Sequence, residues 1–202
     1  FRDQGKRVLL VLDSLTRYAM AQREIGLAVG EPPATRGYPP SVFGMMPRLL
    51  ERAGTSTRGS ITAFFTVLVE GDDMNDPVAD TVRAIVDGHV VLSRDLASAG
   101  HYPPIDIGAS VSRCANDVAT PEHRQLARAL RYSQSVYNRA ADMIAIGAYK
   151  PGSDPDIDRA VRLKPELDRF LQQDLDDCSP WADTLAHLRK MLQDHENVSQ
   201  SS

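Results

Sequence analysis

The fold class of this chain follows from one stretch near its start, Arg7-Val8-Leu9-Leu10-Val11-Leu12. The stretch is apolar without alternation, a pattern typical of a strand that is covered on both faces in a parallel sheet. Gly5 marks a turn just before it. We therefore predict a buried strand of an α/β sheet over residues 7–12.

Downstream of this strand, helix-type and strand-type segments alternate. Helix-forming residues run from 14–29 and again over 45–53. A second strand is predicted over 60–70, a helix that begins with an Asp-Pro pair over 76–86, and a third strand over 89–93. This order predicts parallel strands joined by right-handed crossovers.

Beyond residue 119 the pattern becomes helical. Three helices are predicted to open at Thr120-Pro121, Asp154-Pro155 and Ser179-Pro180, where a capping residue precedes a proline. Pro165 is predicted to interrupt or restart the second of them. We therefore divide the chain into an α/β domain over 1–119 and a helical domain over 120–202, and we predict disorder for the small polar residues 197–202.

The bulk properties narrow the class of protein. The 202 residues are 42% hydrophobic and 25% charged, as in soluble globular proteins. A net charge of -4 and a pI near 5.7 disfavour nucleic acid as a partner. Cys114 and Cys178 lack the spacing of a zinc site or a disulfide framework, which suits a reducing cytoplasm. No apolar run approaches the roughly 20 residues of a membrane helix.

Asp13 is the first candidate for chemistry. It stands at the carboxyl end of the first predicted strand, where open α/β sheets place their ligands. A carboxylate there could hold Mg²⁺ on a nucleotide triphosphate. The residues alone leave a second interpretation open, in which Asp13 caps the helix that starts at Ser14.

The string around Asp13 is specific. It is Leu10-Val11-Leu12-Asp13-Ser14-Leu15-Thr16-Arg17-Tyr18-Ala19. Three further stretches follow it, namely Pro33-Ala34-Thr35-Arg36-Gly37-Tyr38-Pro39-Pro40-Ser41-Val42-Phe43, Gly59-Ser60-Ile61-Thr62 and Glu70-Gly71-Asp72-Asp73-Met74-Asn75-Asp76-Pro77-Val78-Ala79-Asp80-Thr81. Together they resemble, in family order, the family of rotary ATP synthase catalytic subunits, vacuolar ATPases and secretion ATPases. The resemblance covers roughly residues 7–175 and is closest to the flagellar export ATPases.

The resemblance implies a partial RecA-like nucleotide-binding core, followed by a helical domain, that acts on ATP with Mg²⁺. It implies that Asp13 holds the metal and that Tyr102, in His101-Tyr102-Pro103-Pro104, stacks on adenine. Without the family context, Tyr102 reads as a loop tyrosine packed beside two prolines. Both interpretations of the tyrosine stay open.

Two arginines are also implied as catalytic. Arg113, at the end of Ser110-Val111-Ser112-Arg113, matches the family's arginine finger, which reaches the nucleotide of a neighbouring subunit. Arg17 follows Asp13 by one helical turn and matches a family arginine near the active site. The alternatives are a surface position for Arg113 and a structural salt bridge for Arg17.

The resemblance also implies an assembly and a location. Members of the export branch form homohexamers in the cytoplasm, peripheral to the inner-membrane export apparatus. The acidic loop 72–76 would face the central channel and touch a stalk protein, and residues 146–155 match the export branch. Export chaperone-substrate complexes and the export gate are the further implied partners, and nucleic acid is not among them.

One required motif is missing from these residues. ATP hydrolysis in this family needs a G-x-x-x-x-G-K-[ST] loop, and the chain contains no Gly-Lys-Ser or Gly-Lys-Thr. The family glutamate that polarises the attacking water follows that loop and is missing with it. We expect a fragment of a longer protein, or a degenerate member, and we expect the chain alone to be inactive.

Four alternatives compete with a flagellar export ATPase. The nearest are an ATPase of a virulence injectisome and a catalytic or noncatalytic subunit of a rotary ATP synthase. Two alternatives belong to other classes of protein. One is a nonenzymatic docking ring, which would explain why the phosphate-binding loop is missing. The other is a hexameric RNA helicase, which carries a similar Asp-Ser-x-Thr-Arg string. The helicase would need a basic and aromatic RNA-binding stripe, which the sequence lacks.

Overall fold

A computed structural model describes residues 1–197, with side chains through His195. The chain forms two compact units, Phe1–Asp87 and the residues from Gly88 onward. Residues 198–202, which belong to the tail predicted to be disordered, lie outside the described residues. Within the described part of the chain, no helix has the length and apolar character that crossing a membrane requires.

The sheet of the first unit has three strands in the order β1-β3-β2. They are β1 (Arg7–Leu12), β2 (Gly54–Thr55) and β3 (Ser60–Phe65). β1 and β3 run parallel, in a register that pairs Leu12 with Phe65, while β2 is antiparallel to β3. The parallel pair confirms the two strands predicted from the apolar runs, although β3 ends earlier than predicted.

Three helices complete the first unit: α1 (Leu15–Ala28), α2 (Pro40–Leu50) and α3 (Pro77–Ile85). Ser14 caps α1 and Asp76 caps α3 through their side-chain oxygens. The helix predicted over 45–53 begins earlier, because Pro40 takes the first helical position, where its missing N–H costs nothing. The buried core of this unit consists of Leu15, Ala19, Tyr38, Val42, Met46, Leu50, Val78 and Val82.

One face of β1 departs from the prediction. The apolar run predicted cover on both faces, yet the side chains of Leu9 and Val11 are each 65% exposed and Phe64 on β3 is 62% exposed. Leu12 and Phe65 pack against the helical core. The described residues therefore cover only part of the sheet.

The second unit begins with a hairpin-like pair of strands, β4 (Gly88–Leu92) and β5 (Ile105–Ser112), which are antiparallel. The short helix α4 (Arg94–Ser98) lies between them and α5 (Ala115–Val118) follows them. The prediction that the third strand joins by a parallel crossover is wrong. Its partner β5 was not predicted, because its centre is Gly108-Ala109-Ser110, which has low strand propensity.

Three long helices follow: α6 (Pro121–Ala145), α7 (Pro155–Leu171) and α8 (Trp181–Asn197). They confirm the three predicted starts, with Thr120 and Asp154 as N-caps of the first two. Pro165 was predicted to interrupt α7 and does not. Leu163 and Leu167, on either side of it, are fully buried against α6 and α8, and this packing offsets the hydrogen bond that proline removes.

Candidate functional site

Asp13 and Thr66 lie side by side at one edge of the sheet. Asp13 follows β1, Thr66 follows β3, and the parallel register brings their strand ends together. The Thr66 hydroxyl donates a hydrogen bond of 2.6 Å to Oδ1 of Asp13. The Thr66 amide also donates to the carbonyl of Leu12 at 3.1 Å. The carboxylate is thus held at the carboxyl end of two parallel strands.

The start of α1 shows which side chain caps the helix. The N-cap side chain is that of Ser14, whose Oγ accepts a hydrogen bond from the amide of Arg17 at 3.3 Å. The amide of Leu15 donates to the carbonyl of Thr66 at 2.9 Å. Capping by Ser14 leaves the Asp13 carboxylate to Thr66 and to solvent, since the side chain is exposed. Arg17, also exposed, lies in the first turn of the same helix.

The donor set at this edge suits Mg²⁺. Among the described residues, no three His, Cys, Asp or Glu side chains cluster as a metal cage would need. Mg²⁺ is usually held by one or two carboxylates together with substrate phosphates and water, not by an all-protein cage. Asp13, with one oxygen oriented by Thr66 and the carboxylate exposed, has the chemistry of such a single ligand.

Tyr102 lies in the second unit, in the loop between α4 and β5. Its side chain is 56% exposed, whereas the preceding His101 is buried. More than half of the Tyr102 side chain is therefore accessible to solvent.

Arg113 is exposed and directly follows β5. Tyr102 precedes the same strand. β5 pairs with the five residues of β4 across an irregular register, so Tyr102 and Arg113 lie before and after a bulged strand. In the first unit the structure brings Asp13 and Thr66 together, and Arg17 lies in the first turn of α1.

The acidic loop predicted over 72–76 is a turn followed by a helix cap. The Asp76 carboxylate accepts hydrogen bonds from the amides of Val78 and Ala79. The guanidinium of Arg36 is bonded to Asp73 and lies 3.7 Å from Oδ2 of Asp76. The bond with Arg36 and the amide of Asn75 lower the pKa of Asp73, and the same bond raises the pKa of Arg36.

Two of these residues were not predicted as parts of the site. Thr66 was missed because the second strand was predicted over 60–70, which puts Thr66 inside the strand, whereas β3 ends at Phe65 and leaves Thr66 at the strand end beside Asp13. Arg36 could not have been found, since its pairing with Asp73 joins loops that are 37 residues apart.

Comparison with known proteins agrees with this architecture. A model of the nucleotide-binding domain of the ATP synthase alpha/beta family matches residues 1–112, and a model of the T3SS EscN ATPase C-terminal domain matches residues 119–190. The flagellum-specific ATP synthase of Salmonella typhimurium is 57% identical over 190 residues, which are 93% of this chain and 42% of that protein. The chain thus spans less than half of this curated relative.

Two solved structures are also similar. The assembled ATPase EscN of the enteropathogenic E. coli type III secretion system has a TM-score of 0.92 and 48% identity, over 95% of this chain and 47% of that one. EscN assembled with its central stalk EscO has a TM-score of 0.85 and 46% identity, over 95% of this chain and 46% of that one. These matches confirm the family resemblance and the fold class of the sequence analysis. The chain belongs to the ATP synthase alpha/beta family, in the branch of the flagellar and type III secretion ATPases.

Proposed function

We propose that the longer protein containing this chain hydrolyses ATP with Mg²⁺ at the interfaces of a homohexameric ring and so energises protein export. The observation that carries the proposal is the Asp13 carboxylate, oriented by Thr66 at the carboxyl end of β1 and β3. In a chain of this family, that position is where a nucleotide-bound metal belongs. When bound, Mg²⁺ neutralises charge on the transferred phosphoryl group.

The other predicted residues take separate roles in this proposal. Arg17, one helical turn beyond Asp13, adds positive charge beside the phosphates. Tyr102 stacks on adenine with its exposed ring. Arg113 reaches the nucleotide of the neighbouring protomer.

The partners and the location follow from the family branch. We propose a flagellar or virulence-type export apparatus, a central stalk at the acidic loop 72–76, and contacts with export chaperone-substrate complexes and the export gate. The ring would act in the cytoplasm at the membrane-embedded apparatus. The complex of EscN with its stalk supports the stalk contact. We also propose the domain boundary at 119/120, which the extents of the two family models support.

The test is ATP turnover by the complete protein with and without Mg²⁺, beside the variant Asp13→Asn. We expect the turnover to depend on Mg²⁺. Asp13→Asn should lower it by about 100-fold or more, because Mg²⁺ loses its carboxylate ligand. The 202-residue chain alone, which has no Gly-Lys-Ser or Gly-Lys-Thr, is expected to hydrolyse no ATP. Turnover by this chain, or full activity in Asp13→Asn, would show that the active site lies elsewhere.

A further inference from the structure

The loop that carries Tyr102 is tied to the end of α7. The backbone amide of Gln173 donates a hydrogen bond of 2.9 Å to the carbonyl of Tyr102. Beside it, the side-chain amide nitrogen of Gln172 lies 3.4 Å from Nδ1 of His101. Residues 71 positions apart in sequence are thus joined at the loop.

His101 is a buried imidazole that the proposed chemistry does not use. Its side chain is only 7% exposed, and its backbone amide donates to the carbonyl of Leu96 at 2.9 Å. Nδ1 of its ring faces the side chain of Gln172, the residue after α7, while its backbone is bonded to α4. His101 therefore joins the end of α4 to the end of α7.

The residues after Tyr102 are held as well. Pro103 and Pro104 have fixed φ angles, and the carbonyl of Pro104 accepts a hydrogen bond of 2.8 Å from the amide of Ser93. Both neighbours and the carbonyl of Tyr102 are thus restrained, while its side chain stays 56% exposed. Such an arrangement fixes the direction of the Cα–Cβ bond of Tyr102, which lowers the entropic cost of stacking a ligand on its ring.

We infer that His101 and Gln172 are positioning residues that fix Tyr102 for the nucleotide base. Through them, the end of a helix in the helical domain sets the affinity for ATP. The inference rests on the proposed function, because it takes Tyr102 as the residue that stacks on adenine. Neither residue touches the reacting atoms, so both act on binding of the base and not on phosphoryl transfer.

The test is steady-state kinetics of the complete ATPase with Gln172→Leu and His101→Leu. Gln172 is exposed, so its replacement leaves the core intact. Gln193→Leu, at an exposed glutamine of α8, is the matched control. Inhibition by magnesium tripolyphosphate, which has no base, measures the phosphate site separately.

We expect both leucine variants to raise KM for ATP by about two- to tenfold, the range for a weakened aromatic stack, with kcat and inhibition by tripolyphosphate unchanged. This split between KM and kcat marks an effect on binding alone. His101→Asn, whose side-chain amide can both donate to and accept from the amide of Gln172, should restore most of the affinity. The control should match the wild type.

Two results would overturn the inference while the proposed function stands. In the first, KM stays at the wild-type value in both leucine variants although Tyr102→Ala raises it. In the second, kcat falls and inhibition by tripolyphosphate weakens while KM rises, which marks a structural defect. If the wild-type complete protein shows no Mg²⁺-dependent ATP turnover, the proposed function itself fails, and the inference with it.

Discussion

The hydroxyl of Thr66 lies 2.6 Å from Oδ1 of Asp13, and the two residues directly follow adjacent parallel strands. The same threonine accepts a hydrogen bond from the amide of Leu15 through its carbonyl. One residue therefore joins the carboxylate, the strand end and the start of α1. A polar neighbour that orients a metal ligand is as much part of a metal site as the ligand itself.

Replacing Thr66 by valine keeps the shape and removes the hydroxyl. We expect Thr66→Val to raise the Mg²⁺ concentration for half-maximal ATP turnover by about tenfold, because the Asp13 carboxylate loses the donor that orients it. A magnesium titration of the complete ATPase at fixed ATP measures this. Thr66→Ser, which keeps the hydroxyl, should behave like the wild type. A Thr66→Val protein with a wild-type magnesium requirement would remove Thr66 from the site.

Arg113 is expected to act on the nucleotide of the neighbouring protomer. Arg113→Ala should lower turnover by about 10³-fold or more while nucleotide affinity stays near that of the wild type, since the guanidinium stabilises charge that develops only during phosphoryl transfer. Arg113→Lys is the conservative control, and it should stay impaired because an ammonium lacks the planar fork.

Mixed rings test whether Arg113 acts between protomers. Asp13→Asn and Arg113→Ala proteins are each expected to be inactive. Assembled together, they form some interfaces in which Asp13 of one protomer meets Arg113 of the next. We expect such mixtures to regain part of the turnover. If they stay as inactive as the separate variants, Arg113 does not act across the interface.

The strands and helices were predictable where local patterns determine them. The strand predicted over 7–12, and the helices predicted to begin at a proline, lie close to their predicted positions in the structure. The position of Asp13 at a strand end followed from the same pattern. β5 was missed because its glycine, alanine and serine carry little strand preference, so its pairing with β4 decides its conformation.

Long-range pairings were beyond sequence reasoning. The contact of Gln172 with His101 and the bond of Arg36 with Asp73 join residues 71 and 37 positions apart. Arg36 also has a positive φ of 50°, unusual for a residue with a side chain. No periodic pattern in the sequence predicts either contact, because each depends on how separate segments meet after folding.

Tyr102 is expected to contribute to affinity and not to the chemical step. Tyr102→Ala should raise KM for ATP by about two- to twelvefold, which corresponds to a lost stack of about 0.5–1.5 kcal/mol, with kcat little changed. Tyr102→Phe keeps the ring and should retain the wild-type KM. Binding of a fluorescent adenine nucleotide provides a second measurement. If Tyr102→Ala lowers only the unfolding temperature, the residue serves packing after all.

The pair of Arg36 with Asp73 should stabilise the chain in a pH-dependent way. The folded-state pKa of Asp73 is lowered by its bond with Arg36, so the stabilisation is complete above the ordinary pKa of an aspartate. It is lost as pH falls through the lowered folded-state value. We expect Asp73→Asn to reduce the unfolding temperature slightly at neutral pH, and the difference from the wild type to vanish in strong acid.

Asp168→Asn is the control for this pair. Asp168 pairs with Lys164 one turn away within α7. Hydrogen exchange at Asn75, whose amide donates to Asp73, should speed up in Asp73→Asn and stay unchanged in Asp168→Asn. High salt should reduce the effect of Asp73→Asn, because the pair is exposed to solvent. An Asp73→Asn effect that persists unchanged in strong acid contradicts this account.

Gly59 should tolerate no side chain. It precedes β3, and a Cβ there would lie 2.5 Å from the carbonyl oxygens of both Arg2 and Lys6. Both obstacles are backbone atoms, so they cannot move aside as a flexible side chain would. We expect Gly59→Ala to lower the free energy of unfolding by about 1–3 kcal/mol, measured by urea denaturation of the chain. Gly44→Ala, on an exposed face of α2 with open space around it, should be neutral or stabilising by up to about 1 kcal/mol.

The position of Gly59 also predicts where its effect stops. β1 has six residues and therefore spans about 20 Å, which separates the Lys6 end of the strand from Asp13. Strain at Gly59 should destabilise the sheet without reorienting the carboxylate. In the complete ATPase, Gly59→Ala should therefore lower the unfolding temperature while the magnesium requirement stays at the wild-type value. A shifted magnesium requirement would mean that the two ends of β1 are mechanically coupled.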